Sequence, residues 1–455
     1  MRGELQFDGA RAYAHLKHLV VDIGPRLGGS DDERRAAEYI RGHYERIGLQ
    51  ARLEEFPVTN YDLRQKQLVA TSPAMREVPC EVYYLNQDTP AEGLEADAVY
   101  VGPGDLSHLG PEVEGHIVLV LRGVRSDTYA DLMRWRPAGL VIIEDTVATG
   151  PIRTETLPEV RAKFGAVPAV RISHEDGLRL VKEGVQRMRL VVRTTEHQAT
   201  SRNVIADLPG TVFPDQIIVI GGHFDSSIGI QGASDNAGGT VVAMELARVF
   251  AERGSKRSLR FFAWGSEELG LRGSVHHVKA LKKAHKEAKK ADGFVKGRDK
   301  TELEKHMLCV NIDVQGSVLG MNEALVLGPK DLGAALRLMS KEHGPAYQVQ
   351  DDIYSSDNMP FSEAGVPSVG FARSGGTTSF LHTLGDIIDH LRPEALQENG
   401  RFIEEFLIRH VTEARAFPFE REIPEEMKKK IREYFEKRLA IDYLEDEEEK
   451  KENQT

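Results

Sequence analysis

Hydrophobic residues near the N-terminus recur at the spacing of one helix face. The apolar positions of this first predicted helix are Ala12, Leu16, Leu19 and Val20. The segment IGPRLGG interrupts the pattern, and Ser30 or Asp31 can then cap a second helix that ends at Gly48. The apolar positions of the second helix are Ala36, Ala37, Ile40, Tyr44 and Ile47. A strand from about Gln50 to Pro57 is predicted to follow.

From residue 62 to residue 198 the pattern changes to short apolar runs separated by turns. The runs read ADAVYVG, GHIVLVLRG, AGLVIIE, VPAVRIS and MRLVVRT. Only short helical patterns lie between them, which is typical of a β-rich module. We therefore predict that residues 62–198 are inserted into a discontinuous domain formed by residues 1–61 and 199–420.

After Ser201, strand-like runs alternate with helical patterns, and this alternation predicts an α/β domain. The strand-like runs read QIIVIGGH, SLRFFAWG, MLCVNIDV, EALVLG and VPSVGFA. Helices are expected over Asn236–Glu252 and from Leu396 to about Ala416.

Two further segments are rich in charge. The lysine-rich stretch 279–300 is interpreted as a solvated helix plus loop in preference to a partner-binding patch. Residues 421–455 form a separate C-terminal segment, in which Pro424 can start a last helix. Its apolar positions are Met427, Ile431, Tyr434 and Phe435. This helix could dock on the catalytic domain or on a second subunit, and the acidic end beyond Glu445 is expected to be disordered.

Composition narrows the classes of function. The chain has 455 residues, 40% of them hydrophobic and 29% charged, which is typical of a globular protein with two or three domains. A net charge of −12 argues against a nucleic-acid partner. No apolar run is long enough to span a membrane, and the N-terminus lacks the features of a signal peptide. With only Cys80 and Cys309 available, a disulfide framework is improbable, so the expected location is cytoplasmic.

Residues of metal-ligand type follow the strands after Ser201. They are His223, Glu267, Glu268, Asp313 and His382. The two adjacent glutamates follow the same run, and each of the other residues lies at or beyond the end of a different run. Asp235 lies just before the helix expected at Asn236. In open α/β sheets, ligands bind beyond the C-terminal ends of the strands, so these side chains are predicted to meet at one site.

This residue inventory suits a two-metal hydrolase. Two divalent ions about 3.5–4 Å apart can activate a shared water and polarise a carbonyl. The pair needs a bridging carboxylate, histidine and carboxylate end ligands, and one further carboxylate as general base. Neighbouring side chains in a turn point in different directions, so either Glu267 or Glu268 can bind metal while the other faces the water. Each residue alone has an ordinary structural explanation, but five of them at strand ends are hard to explain as coincidence.

Several motifs resemble those of the two-zinc aminopeptidases, the family of bacterial leucyl-type aminopeptidases, glutamate carboxypeptidase II and the non-catalytic transferrin receptor. In chain order the motifs are HFDS, SDNAGG, SEELGLRGS, NIDVQG, SSDNMPFSEAGVPSVGF and HTLGD. The segment IGPRLGGSDDERRAAEYI is similar to the opening helix of that family. The runs EGHIVLVLRG, PAGLVIIE and VPAVRIS resemble a protease-associated (PA) domain. The resemblance implies a three-layer α/β/α zinc-exopeptidase-like domain with a mixed sheet, interrupted by a β-rich PA-like insert.

The resemblance also implies a role for individual residues. His223 and Asp313 would hold one zinc ion, Glu268 and His382 the other, and Asp235 would bridge both. Cobalt or manganese could replace zinc in such sites.

Other side chains would assist the reaction, according to the same resemblance. Glu267 would be the general base, Asp225 would orient the His223 imidazole, and Tyr354 could stabilise an oxyanion. Asp386 matches a family carboxylate near His382.

The main functional prediction is a metal-dependent aminopeptidase that acts on peptides. A carboxypeptidase or dipeptidase for small acidic peptides is an alternative, but Arg373 is the one obvious basic residue close to a motif. A glutaminyl-cyclase-like transferase with a single zinc ion and a non-catalytic receptor-like protein are further alternatives. The intact Glu267 argues against the last of these. No membrane partner is expected, and a homodimer or higher oligomer is compatible with the sequence.

Overall fold

The computed structural model of the protein describes residues 5–84, 86–121, 126–147, 150–155, 157–344 and 346–439. Contacts between Cα atoms divide them into two units. The first unit comprises the residues up to Val58, Ala199–Leu381 and Asp386–Ile431. The second unit comprises Thr59–Gln198, His382–Gly385 and the residues from Arg432 onward. The acidic segment beyond Glu445 lies outside the described residues.

The first unit contains a mixed sheet. Its strands, in spatial order, are Tyr347–Gln350, Met321–Leu327, Ser368–Ser374, His306–Ile312, Phe213–His223, Arg257–Trp264 and the end of Arg187–Leu208. The strands from Ser368–Ser374 to Arg257–Trp264 in that order run parallel. Met321–Leu327 runs antiparallel to Ser368–Ser374 but parallel to Tyr347–Gln350, and Arg187–Leu208 runs antiparallel to Arg257–Trp264. The predicted α/β class with a mixed sheet is therefore confirmed.

Helices cover both faces of this sheet. Ile218 and Ile220 pack into one buried cluster, whereas Val219 between them packs into another, as expected for alternating strand residues. The helices on the first side are Gly9–Lys17, Asp31–Arg46, Gly239–Arg253, Lys330–Glu342 and Pro393–Leu407. Those on the second side are Arg272–Lys290, Glu302–Lys305 and Asn358–Glu363. The layers are thus helix, sheet and helix.

The second unit has a sheet and a buried core of its own. Its strands, in spatial order, are the start of Arg187–Leu208, Leu94–Tyr100, Ile117–Leu121, Gly139–Ile143, Ala169–Ile172 and Glu81–Val82. The long strand Gln50–Ser72 pairs with Arg76–Glu77. The helices are Ser126–Arg134, Pro158–Phe164 and His174–Lys182. Its core includes Val118, Val120, Leu140 and Ile142.

Three predicted element boundaries are wrong. The strand expected to end at Pro57 continues to Ser72, because an exposed proline is tolerated where its nitrogen is not needed in the ladder. The helix expected at Asn236 is regular only from Gly239, because a π-helical segment, Ala233–Gly238, precedes it and has non-helical φ and ψ angles at Asp235 and Asn236. The helix expected to reach Ala416 is regular only to Leu407, and a π-helical turn follows as far as Thr412.

Other helix predictions are confirmed. Ser30 caps the helix Asp31–Arg46 through a bond from the Glu33 N–H. The lysine-rich stretch forms the end of helix Arg272–Lys290 and a following loop. The last helix spans Glu425–Arg438 and directly follows Pro424. Among the described residues, no helix has the length and apolar character needed to cross a bilayer.

A buried histidine in the first unit makes stability depend on pH. His306 is fully buried, and its Nδ1 lies 2.8 Å from the Glu302 carbonyl oxygen. Burial lowers the pKa of His306 to about 3. The unfolded chain therefore takes up the proton first, so the free energy of unfolding falls as pH drops from about 6.5 toward 3.

We expect His306→Gln, which retains a donor for Glu302, to reduce this acid sensitivity. Between pH 7 and pH 4 the variant should lose less unfolding free energy than the wild type, by on the order of 3 kcal/mol. Urea titrations of metal-free protein at both pH values measure the difference. The exposed His197→Gln is the control. Equal losses in wild type and His306→Gln would contradict the expectation.

Candidate metal centre

The candidate ligands lie at the C-terminal edge of the parallel strands. His223 is the last residue of its strand and is in register with Trp264, the last residue of the neighbouring strand. Glu267 and Glu268 lie in the turn that follows Trp264, and Asp313 directly follows the strand His306–Ile312. Because these strands are parallel neighbours, their ends open onto the same side of the sheet.

Glycines allow the chain to close around this edge. A Cβ atom on Gly222 would lie 2.3 Å from the Ile312 carbonyl oxygen, and one on Gly239 would lie 2.2 Å from the same oxygen. The Asn236 side-chain amide donates to that oxygen as well (2.9 Å). The motif containing Asn236 and Gly239 therefore brings the adjacent Asp235 to the end of the strand that carries Asp313.

Two groups of ligand-type side chains result. The ligand atoms of His223, Asp235 and Asp313 all lie within 4.8 Å of one another, and so do those of Asp235, Glu268 and His382. His223 Nε2 is 3.2 Å from Asp235 Oδ1 and 3.4 Å from Asp313 Oδ1. Asp235 is common to both groups. The structure thus brings together all five side chains that the sequence nominated as ligands.

The backbone beside these residues is strained. Ser266, Val314 and His382 have φ values of +54°, +48° and +57° although none is glycine. Such conformations cost about 1–3 kcal/mol each and persist where the surrounding structure enforces them. Ser266 precedes Glu267, Val314 follows Asp313, and His382 is itself a candidate ligand. The strained residues therefore set the directions in which the candidate side chains point.

Asp225 supports the turn that carries the two glutamates. Its carboxylate oxygens accept hydrogen bonds from the N–H groups of Glu267 (3.0 Å) and Glu268 (3.1 Å). Asp225 Oδ1 also lies 3.4 Å from His223 Nδ1, which is long for a hydrogen bond. Asp225 is therefore primarily an acceptor for this turn and an anionic neighbour of the imidazole.

Glu267 lies beside the two groups but belongs to neither. Its Oε2 is 4.0 Å from His223 Nε2, and 14% of its side chain is exposed. Burial raises the pKa of Glu267 well above its usual range, against the effect of His223, and the carboxylates of Asp357 and Glu268 raise it further. The adjacent Glu268 is in a ligand group, so the two glutamates differ in placement as the sequence indicated they could.

Buried negative charge dominates this region. Burial raises the pKa of Asp357 to about 7 and that of Asp386 to about 7. Although burial lowers the pKa of His223, the carboxylates of Glu267 and Asp313 raise it well above its usual range. Anionic groups withdrawn from water require protons or cations. Imidazole and carboxylate donors converging in such a place fit divalent ions such as zinc.

Tyr354 and Asp386 flank the ligand groups. The half-buried Tyr354 packs against Gly370, where an added Cβ would lie 3.5 Å from the Tyr354 Cβ. Burial raises the pKa of Tyr354 well above its usual range and Asp313 raises it further, so the phenol remains a hydrogen-bond donor. Asp386 accepts from the N–H groups of Ser234 (2.8 Å) and Asp235 (3.0 Å) and so fixes the backbone of the shared residue.

The sequence did not single out two buried residues of this region. Asp357 is fully buried and accepts the Ser274 hydroxyl (2.5 Å), and its position in the motif SSDN was the available signal. Arg26 is fully buried between Pro25 and Leu27 in IGPRLGG, an unusual setting for a charged residue.

Known proteins resemble this chain in sequence and in fold. The sequence profile described as Peptidase family M28 matches residues 203–407, which include every residue of the two ligand groups. The chain is 27% identical over 415 residues to aminopeptidase YwaD of Bacillus subtilis (strain 168), covering 88% of this chain and 84% of that protein. It is 27% identical over 292 residues to carboxypeptidase Q of Bos taurus, covering 60% of this chain and 61% of that protein. A zinc aminopeptidase structure from Bacillus subtilis superposes with a TM-score of 0.71 at 25% identity, covering 94% of this chain and 100% of that one.

Proposed function

We propose that this zinc metallopeptidase, whose residues 203–407 belong to peptidase family M28, is an aminopeptidase that uses two metal ions. The observation that carries the proposal is the position of Asp235 in both ligand groups. A carboxylate shared by two sets of ligands is what a bridged pair of ions requires.

The two groups divide the ligands between the ions. His223 and Asp313 would hold one ion, Glu268 and His382 would hold the other, and Asp235 would contact both. The mixed imidazole and carboxylate donors suit zinc and also accept cobalt or manganese. When bound, such a pair supplies Lewis acidity toward a carbonyl oxygen and lowers the pKa of a water molecule.

The remaining side chains would move protons and stabilise charge. Glu267 lies outside both groups with its Oε2 4.0 Å from His223 Nε2, and from there it is suited to take a proton from the attacking water and to pass it to the leaving amine. Asp225 holds the Glu267 N–H and lies beside His223. The Tyr354 phenol would donate to the developing oxyanion.

The placement of Arg373 favours an aminopeptidase over a carboxypeptidase. Its guanidinium donates to the Asn322 side chain (2.5 Å) and to the Val318 carbonyl oxygen (3.2 Å), and only 8% of the residue is exposed. Hydrogen bonds within the protein therefore occupy the Arg373 guanidinium, which is poorly placed to hold a substrate carboxylate. Similarity to carboxypeptidase Q keeps that activity as the alternative to test.

Two further parts of the proposal concern the rest of the chain. We propose that Thr59–Gln198 acts as a PA-like module, since it has its own core and its described residues supply no member of either ligand group. We also propose a cytoplasmic location, which the free, buried Cys80 and Cys309 support.

The adjacent glutamates provide a matched test of the catalytic roles. We expect Glu267→Gln to lower kcat by about 100-fold to 10,000-fold while the metal content is unchanged, because the variant lacks the proton acceptor but retains the ligands. Glu268→Gln should instead lose bound metal. Steady-state kinetics and elemental analysis of the purified variants measure both effects. Full activity of Glu267→Gln would exclude this residue as the base.

The direction of attack can be tested with one peptide sequence prepared in three forms: with both ends free, with an acetylated N-terminus, and with an amidated C-terminus. An aminopeptidase should lose at least about 100-fold in kcat/KM on acetylation, because the free ammonium is part of what it recognises, and little on amidation. Mass spectrometry identifies the products. Sensitivity to amidation alone would establish the carboxypeptidase alternative instead, and ammonia release from N-terminal glutamine without peptide cleavage would indicate the cyclase.

A further inference from the structure

Arg26 donates its guanidinium hydrogen bonds to main-chain carbonyl oxygens on both sides of a loop in the first unit. The residue is fully buried. Its acceptors are the carbonyl oxygens of Phe224 (2.7 Å), Gly24 (2.7 Å), Gln231 (3.0 Å), Gly232 (3.0 Å) and Leu19 (3.3 Å). A rigid, planar group with five N–H donors is required to satisfy acceptors spread in this way.

The acceptors lie next to two candidate metal ligands. Phe224 directly follows His223, whereas Gln231 and Gly232 shortly precede Asp235. The Arg26 backbone reinforces the contact, because its N–H donates to the Ser226 hydroxyl (2.9 Å) and its carbonyl accepts from the Ser226 N–H (3.2 Å). One residue therefore contacts the loop between the two ligands near each of its ends.

The neighbouring Gly28 touches the other side of the centre. A Cβ atom on Gly28 would lie 2.0 Å from Ser266 Oγ, and Ser266 precedes Glu267 with its φ of +54°. The Gly29 N–H donates to the buried Glu33 carboxylate (2.9 Å), which anchors this segment to the following helix. The segment from Arg26 to Gly29 thus contacts both the loop before Asp235 and the turn that carries the glutamates.

Arg26 also places a positive charge behind the acidic cluster. Burial lowers the pKa of Arg26 to about 10, while Asp225, Asp386 and Glu268 act to raise it. The guanidinium is therefore charged at neutral pH. The guanidinium offsets the negative charge of carboxylates near the ligand groups. Its hydrogen bonds go to main-chain carbonyl oxygens, so the ligand atoms stay available to metal ions.

We propose that Arg26 is a positioning residue for the metal centre, which fixes the spacing of His223 and Asp235 by holding the loop between them. This inference rests on the proposed function, because it concerns the affinity of that centre for its ions. It predicts that weakening the Arg26 contacts lowers metal affinity by more than the loss of folding stability would explain.

Arg257 offers a matched control. It is also a fully buried arginine of the first unit, and it donates to the carbonyl oxygens of Val411 (2.6 Å) and Ala414 (2.7 Å). Neither acceptor adjoins a candidate ligand. Arg257→Met should therefore lower the thermal stability of the metal-free protein without changing its zinc affinity.

The test compares Arg26→Lys, Arg26→Met and Arg257→Met with the wild type. Zinc affinity is measured by competition with a chelator, and metal-free thermal unfolding is followed in parallel. We expect about tenfold to 100-fold weaker zinc binding in the Arg26 variants only, with kcat of Arg26→Lys recovering at saturating zinc and KM unchanged. Affinities within twofold of the wild type in both Arg26 variants would overturn the inference. If the wild type itself bound no zinc or cleaved no peptide, the proposed function would fail instead.

A second pair of variants covers the case in which the Arg26 variants do not fold. Gly28→Ala should weaken zinc binding, because the added methyl group displaces Ser266 and the turn after it. Adding Ser266→Gly should restore the affinity, since it removes the clashing atoms and the buried Ser266 hydroxyl has no hydrogen-bond partner to lose. Unchanged affinity in Gly28→Ala, or no recovery in the double variant, would contradict a positioning role for this segment.

Discussion

Carboxylates are concentrated around Asp235 at the end of a parallel sheet, withdrawn from water, and the other contacts of the site hold or compensate them. Asp235 belongs to both ligand groups, so its position determines whether the two groups can act together. Asp386 accepts a hydrogen bond from the Asp235 N–H. The side chain of Asn236, the residue after Asp235, donates to the last residue of the strand that precedes Asp313. Gly222 and Gly239 leave the space that this close approach needs.

Electrostatics explains why the site combines so many supporting contacts. Burial raises the pKa of Glu267, Asp357 and Asp386, which means that the protein alone compensates their charge poorly. His223 and Arg26 supply positive charge from the chain, and divalent ions would supply the remainder. The same burial raises the pKa of Glu267 in the ion-free site, and divalent ions beside it would favour the charged carboxylate, which is the form that accepts a proton.

The sequence predicted the location of the site better than it predicted the contacts that hold the candidate ligands in place. Parallel strand ends share one edge of a sheet, so His223, Glu268 and Asp313 could be grouped from their positions after apolar runs alone. The helix start near Asn236 was wrong, because the non-helical φ and ψ angles of Asp235 and Asn236 leave no trace in the sequence pattern. The contacts of Arg26 were not predictable, since main-chain carbonyl acceptors carry no signature of residue type.

Anomalous diffraction from zinc-loaded crystals, recorded on both sides of the zinc absorption edge, tests whether Asp235 bridges two ions. We expect two zinc peaks, one beside His223 and Asp313 and the other beside Glu268 and His382, with Asp235 in contact with both. A single peak at full zinc occupancy, or two peaks without Asp235 between them, would contradict this expectation.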